Sequence, residues 1–229
     1  MAPDAPKRLR THALRPAHWR WYVPPIAAAF GAFLAIVATL VSVSGPAAAQ
    51  ERGCDARSQR IDICARLIRS GRFEGPILAN LYFFRGIAFS RARRRRSAIA
   101  DYSSAIDLNP LWFAPYHNRG ADYRALGQPR RAIADFTSAI RLAPRSVDAY
   151  IARGVVYHLD LKRRRRAIAD YNRALKIDPR SGSALINRGR AYQELGMRRL
   201  AIRDYRRVLK LFPKADEAKR RLRALGAKP

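Results

Sequence analysis

Ala98-Ile99-Ala100-Asp101-Tyr102 returns as Ala132-Ile133-Ala134-Asp135-Phe136, then as Ala167-Ile168-Ala169-Asp170-Tyr171, and last as Ala201-Ile202-Arg203-Asp204-Tyr205. The spacings are 34, 35 and 34 residues. An Arg-Gly pair precedes each block (Arg85-Gly86, Arg119-Gly120, Arg153-Gly154, Arg188-Gly189) and a proline follows it (Pro110, Pro144, Pro179, Pro213). Self-similarity at this period means one supersecondary unit stamped out in tandem, each copy hiding its apolar face against the next. The one additional residue lies between Gly154 and Ala167, and its expected place is the stretch 160–166, where a turn would absorb it.

Each unit reads as two helices. In the second, Tyr116, Gly120 and Tyr123 fall at i, i+4 and i+7, a single helical stripe. Gly127 and Pro129 then break the chain. Ala132, Phe136 and Ala139 make the second stripe, and Pro144 ends that helix and opens the next hairpin. Gly120, Ala132 and Ala139 let the two helices approach closely, while Tyr116, Tyr123 and Phe136 fill the space between units.

This pattern of large apolar residue, Gly, Tyr, Ala, aromatic, Ala and Pro closely resembles the tetratricopeptide repeat family over residues 77–213. The resemblance implies an all-α fold, a right-handed superhelical solenoid of four antiparallel hairpins at 77–110, 111–144, 145–179 and 180–213. Some positions depart from the family. Arg85, Arg119, Arg153 and Arg188 stand where Leu is frequent, Leu185 replaces an aromatic, and Val208 replaces a small Ala. The turn glycine of Gly127 and Gly196 is Arg93 in the first unit and is displaced in the third.

In the resembling family the first helix of each hairpin lines a concave groove that takes an extended peptide or a partner helix. Carried over residue by residue, the groove is Asn80, Phe83, Ile87 and Ser90, then Ala114, His117, Ala121 and Arg124. The third unit adds Asp148, Ile151, Val155 and His158, and the fourth Ser183, Ile186, Arg190 and Gln193. Asn118 matches an Asn that holds a peptide terminus in some family members, but the cations completing that clamp would fall near Ile151 and Val155 and are missing. Through Phe83, Ile87, Ile151, Val155 and Ile186 the groove reads as apolar, suited to a partner with apolar anchors. The same side chains could equally pack against the next helix.

The ends fit a stack. Ala218, Leu222 and Leu225 give residues 214–229 an amphipathic helix able to cap the last repeat. Upstream, Ile61, Cys64, Leu67 and Ile68 align with Ile99, Tyr102, Ala105 and Ile106, so residues 50–76 read as a truncated repeat and N-terminal cap. Residues 1–49 read as a signal peptide. Lys7, Arg8, Arg10, Arg15 and Arg20 precede an uncharged run from Ile26 to Val43, and Gly45-Pro46 and Ala47-Ala48-Ala49 follow. Cleavage is expected after Ala49, giving a periplasmic or secreted protein; the competing reading is an uncleaved inner-membrane anchor, since such a run could just span a bilayer. In an oxidising compartment Cys54 and Cys64 would pair, stabilising the cap by roughly 2–4 kcal/mol.

Charge sets the partner classes. The chain has 229 residues, 48% of them apolar, with 46 Lys and Arg against 17 Asp and Glu, a net +29. Residues 1–49 hold only five basic residues and one acidic, so the remainder keeps +25. Arg93, Arg94, Arg95, Arg96, Arg130, Arg131, Arg163, Arg164, Arg165, Arg166, Arg198 and Arg199 all fall in the turns inside the hairpins. Stacking would bring them onto one edge as a cationic ridge for acidic lipid headgroups or polysaccharide, or leave them as a solvated face. Nucleic acid fits the charge but not an exported address. The Arg of each Arg-Gly pair and the Asp of each block recur in register, which predicts an Arg–Asp ladder between helices. A catalytic group would occur once. No Ser-His-Asp order, H-E-x-x-H, Gly-rich phosphate loop or paired-cysteine motif is present, so no enzyme activity, metal or cofactor is expected. The reading is a non-enzymatic scaffold of the bacterial cell envelope that binds a protein or peptide, with polyanion binding by the ridge as the alternative.

Overall fold

A computed structural model describes residues 61–228. The signal-peptide reading, Cys54 and the first part of the N-terminal cap lie outside the described residues. Ten α-helices follow one another, with no strand among the described residues: α1 (Ile61–Arg69), α2 (Gly75–Arg91), α3 (Arg95–Leu108), α4 (Phe113–Ala125), α5 (Pro129–Leu142), α6 (Val147–Val155), α7 (Arg164–Ile177), α8 (Gly182–Glu194), α9 (Arg198–Leu211) and α10 (Asp216–Ala224). A π-helical turn over Val156–Asp160 extends α6. The hairpins are α2–α3, α4–α5, α6–α7 and α8–α9, and each second helix also packs on the first helix of the next unit. Helix α1 lies on α2 and α10 on α9, closing the two ends. No helix among the described residues is long and apolar enough to cross a membrane.

Local chemistry sets the boundaries. Pro76 and Pro129 sit in the first turns of α2 and α5, where a missing N–H costs nothing. Ser146 and Ser181 cap α6 and α8, each hydroxyl accepting from a backbone N–H three residues on, at 3.3 Å. Inside every hairpin the chain turns on a residue of positive φ that lies five before the Ala-Ile-x-Asp block: Arg93 (60°), Gly127 (70°), Lys162 (55°) and Gly196 (73°). Around three of them the backbone closes as a Schellman motif, with Arg94, Gln128 and Met197 donating N–H to the carbonyls of Phe89, Tyr123 and Tyr192 at 2.8, 2.9 and 2.9 Å.

This common turn corrects two expectations. The glycine of the third unit is not displaced; Lys162 occupies its place in the same left-handed conformation. The additional residue is not taken up beyond Asp160 either. It is absorbed earlier, in the π-helical turn, where Leu161 N–H reaches the Val156 carbonyl five residues back at 3.1 Å. Arg163 N–H then bonds the Tyr157 carbonyl at 2.7 Å, closing the wider turn. A widened helical turn lodges one extra residue while the flanking helices keep their pairing.

The core runs along the stack between the helices. Tyr102, Phe136, Tyr171 and Tyr205 of the repeated blocks are fully buried. Each ring lies against the glycine of its own unit: a Cβ on Gly86, Gly120, Gly154 or Gly189 would come within 2.6, 3.1, 2.7 and 2.7 Å of the ring. At Gly86, Gly154 and Gly189 helix and ring are already in contact, so any side chain there forces one of them to shift, while Gly120 leaves slightly more room. Burying one such ring contributes roughly 1.5–3 kcal/mol. Cys64 and Leu81 centre a smaller cluster under α1, and Ala218 and Leu222 of α10 are buried against α9.

Candidate interaction surfaces

The Arg–Asp ladder forms in all four units. Arg85 donates Nε and Nη2 to the two carboxylate oxygens of Asp101 at 2.8 and 2.7 Å, and Arg119 does the same to Asp135 at 2.9 and 2.9 Å. Arg153 grips Asp170 at 3.0 and 2.7 Å, and Arg188 grips Asp204 at 2.7 and 2.7 Å. Such fork-on-fork pairs fix geometry as well as charge. Three of the rungs also reach back one unit: the remaining Nη1 of Arg119, Arg153 and Arg188 donates to Ser103, Thr137 and Asn172 at 2.8, 3.0 and 2.7 Å. Burial pushes the Asp101 and Asp135 carboxyls up, against the pull of Arg85 and Arg119. These residues are architecture and are occupied.

On the first-helix face most of the expected groove anchors are packed away. Phe83, Ile87, Val155 and Ile186 are buried. Phe83 stacks on Trp112 with ring centroids 4.4 Å apart, in the seam between the first two units. These four side chains are the packing of the stack, not open anchors, because they sit in clusters with the adjoining second helices. Asn118 is fully buried. His117 is buried edge-on to Phe136 at 5.4 Å, and burial lowers its pKa to about 4. His158 is buried with Nε2 3.1 Å from Glu194 Oε1. Burial also lowers its pKa, against the pull of Glu194.

What stays accessible on that face is Asn80, Arg124, Ile151, Arg190 and Gln193 in part, with Asp148 and Ser183 exposed. Arg124 reaches across to the next unit, donating Nε to Asp160 at 2.6 Å. Arg190 makes no ion pair among the described residues, and its Nε is buried without an acceptor among them. The open part of the groove is therefore mostly polar, with Arg190 and Asp148 as its charges beside Ile151.

The twelve ridge arginines divide in two. Arg95, Arg164 and Arg198 stand three residues before their blocks and act as pegs into the following unit. Arg95 Nε lies 3.7 Å from Asp122 Oδ1, Arg164 Nε donates to Glu194 at 2.7 Å, and Arg198 Nε donates to the Leu225 carbonyl at 2.9 Å. Asp122 also accepts from Ser90 at 2.7 Å, and burial raises its pKa to about 6. The other nine, Arg93, Arg94, Arg96, Arg130, Arg131, Arg163, Arg165, Arg166 and Arg199, are exposed, as is Lys162. None of these ten makes a salt bridge among the described residues.

Comparison with known proteins agrees with this architecture. A tetratricopeptide repeat family profile matches residues 117–182, and a second matches 182–215. The chain is a tetratricopeptide repeat protein. The MamA 41-end structure from Desulfovibrio magneticus RS-1 superposes on the repeat protein with a TM-score of 0.64 at 17% identity, covering 73% of this chain and 93% of that one. A tetratricopeptide repeat protein from Parabacteroides merdae ATCC 43184 gives 0.67 at 18%, over 77% and 69%. The first repeat domain of Spaghetti (RPAP3), bound to the HSP90 peptide SRMEEVD, gives 0.51 at 24%, over 55% and 99%. No curated protein matches the repeat protein in a sequence search.

Sequence reasoning missed the pegs of this repeat protein. Their signal was present, since Arg recurs at the same offset before three of the four blocks, with Pro129 in the second. It was masked by the arginines on either side.

Proposed function

We propose that this tetratricopeptide repeat protein is a non-enzymatic interaction scaffold of the bacterial cell envelope, exported by cleavage after Ala49 and engaging a partner protein or peptide on its first-helix face. Repeat domains of this family generally mediate protein–protein interaction, and the RPAP3 domain of like fold carries a bound peptide. The observation that carries the reading here is Arg190, a partly exposed cation with no ion pair among the described residues, on the same first-helix face as the partly exposed Arg124 and Ile151. That set favours a partner segment presenting a carboxylate to Arg190 and an apolar side chain to Ile151. It adds a charged contact to the apolar anchors suggested by sequence. Charged pairing of this kind sets register and specificity more than raw affinity.

Crosslinking in cells followed by mass spectrometry tests the reading. Arg190→Glu and Ile151→Asp are each expected to abolish partner capture while helicity is kept; unchanged capture in both overturns the groove assignment. N-terminal sequencing of the protein recovered from the envelope is expected to begin at Gln50, and a start at Met1 refutes processing. Non-reducing mass spectrometry of the same sample is expected to show a Cys54–Cys64 bond, and two thiols there end that claim.

A further inference from the structure

The turn edge of the stack is a built surface, distinct from the first-helix face. Its continuity is visible in two adjoining cavities of about 340 Å³ each. One lies between the second and third hairpins, where Arg130 and Ile133 of α5 meet Tyr157, Leu161, Arg163 and Arg166. The other runs from Lys162 through Arg166 to Leu195 of the fourth hairpin, and shares Arg163 and Arg166 with the first. Both therefore combine cations with apolar lining, Ile133, Tyr157 and Leu161 in the one and Leu195 in the other. The three acids on this edge are engaged: Asp122 with Ser90 and Arg95, Asp160 with Arg124, and Glu194 with Arg164 and His158.

The ten cations without an ion pair are accompanied by exposed apolar side chains at the same turn tips, Leu126 at 37% and Met197 at 42%. A soluble polyanion has no use for these. A lipid surface has, because its phosphates meet the guanidinium groups while short apolar side chains enter the headgroup layer. The backbone of the tips adds a further sign. Arg93 and Lys162 adopt positive φ where Gly127 and Gly196 show that glycine serves. A charged residue is kept at two tips against the preference of the backbone.

We propose that this edge docks the protein on a bilayer of acidic phospholipid, with headgroup phosphates seated in the two cavities around Arg130, Arg163 and Arg166. Each cation near an anionic leaflet contributes to binding, and neutralising four of them weakens it on the order of a thousandfold.

The test uses the full chain and cosedimentation with vesicles of neutral phosphatidylcholine or of phosphatidylcholine with a minority of phosphatidylglycerol. The basic segment 7–20 and the uncharged run at 26–43 are the same in every variant, so the change in the acidic-lipid increment between variants reports the edge. The quadruple variant Arg130→Gln, Arg163→Gln, Arg165→Gln, Arg166→Gln is expected to lose the acidic-lipid increment. A control replacing four exposed arginines of the second helices, Arg141→Gln, Arg173→Gln, Arg203→Gln and Arg206→Gln, is expected to retain most of it. The pair Leu126→Ser, Met197→Ser should lower the increment severalfold, and raising salt to about 0.5 M should remove most of it. Equal loss in the quadruple variant and the control overturns the proposal in favour of delocalised charge. No acidic-lipid increment overturns it outright. Indifference to Leu126→Ser, Met197→Ser, together with equally tight heparin binding, overturns it in favour of a soluble polyanion.

Discussion

Gly154→Ala tests the helix-to-ring contact on which every unit is built. The added Cβ would stand 2.7, 3.0 and 3.2 Å from Cε1, Cδ1 and Cζ of Tyr171. Carbon atoms settle at about 3.5–4.0 Å, so ring or helix must retreat by roughly 1 Å. Tyr171 is fully buried and cannot swing into solvent. Overpacking of this kind costs about 1–3 kcal/mol, and the better helix propensity of Ala offsets about 1 kcal/mol of it. The expected net loss is about 1 kcal/mol. At Gly120 the corresponding contacts with Phe136 are 3.1 and 3.2 Å, with Asp135 Cβ also at 3.2 Å, so a shift of a few tenths of an ångström suffices. Gly120→Ala should therefore be close to neutral. Urea denaturation followed by circular dichroism measures both. In a Tyr171→Leu background, which removes the ring, Gly154→Ala should lose its cost and gain up to about 1 kcal/mol from propensity. Equal midpoint shifts for the two alanine variants, or a cost that persists without the ring, refute the close-contact account.

Three further outcomes are expected. Arg119→Met should destabilise by about 3–5 kcal/mol because it strands the buried Asp135, whereas Arg119→Met with Asp135→Leu should recover most of that loss; a double variant as weak as the single would contradict the ladder. Arg93→Gly and Lys162→Gly should each raise stability by about 0.5–1 kcal/mol in urea titrations, because glycine removes the left-handed penalty at a modest entropic cost. His117 has a pKa of about 4 when folded, below its ordinary value, so the unfolded chain binds the proton more readily. Its contribution is full above about pH 6.5 and falls by about 3 kcal/mol as pH drops through 4. Asp122, raised to about 6, acts in the opposite sense, contributing below about pH 4 and losing that contribution as pH rises through 6. His117→Phe should flatten the acid limb of the thermal-melt profile, and an unaltered limb would show that His117 does not carry it.

Sequence carried the fold because the repeated positions are those where physics leaves least choice. Gly154 faces Tyr171 and Arg153 grips Asp170, and both pairings follow from register alone once the period is known. The turn of the third unit was harder to see. Sequence reveals an additional residue but not whether a loop or a helix takes it up, and the π-helical turn over Val156–Asp160 has no residue signature of its own. The expected groove was the least legible part. Family positions identify which side chains lie on the first-helix face, but not which of them the adjoining helices cover. Phe83, Val155 and Ile186 are consequently buried while Arg124, Ile151 and Arg190 remain open.

The same limit explains the arginines. One residue type serves three ends here, decided by register relative to the Ala-Ile-x-Asp block. One residue before each helix glycine it is a rung, gripping an aspartate and, for Arg119, Arg153 and Arg188, the preceding unit. Three before the block it is a peg into the next unit. At the remaining turn positions it is exposed without a carboxylate. Rungs and pegs account for their own charge structurally; the turn tips do not. If those tips were arginine-rich only by composition, substituting Arg93 and Lys162 by glycine would be free of consequence beyond the gain in stability. If the edge docks on acidic lipid, the same two substitutions must strengthen the fold and weaken acidic-vesicle binding together, by about thirtyfold on the scale of ~1 kcal/mol for each cation at an anionic surface. Stability and binding moving in opposite directions from one pair of substitutions is an outcome that compositional drift does not produce.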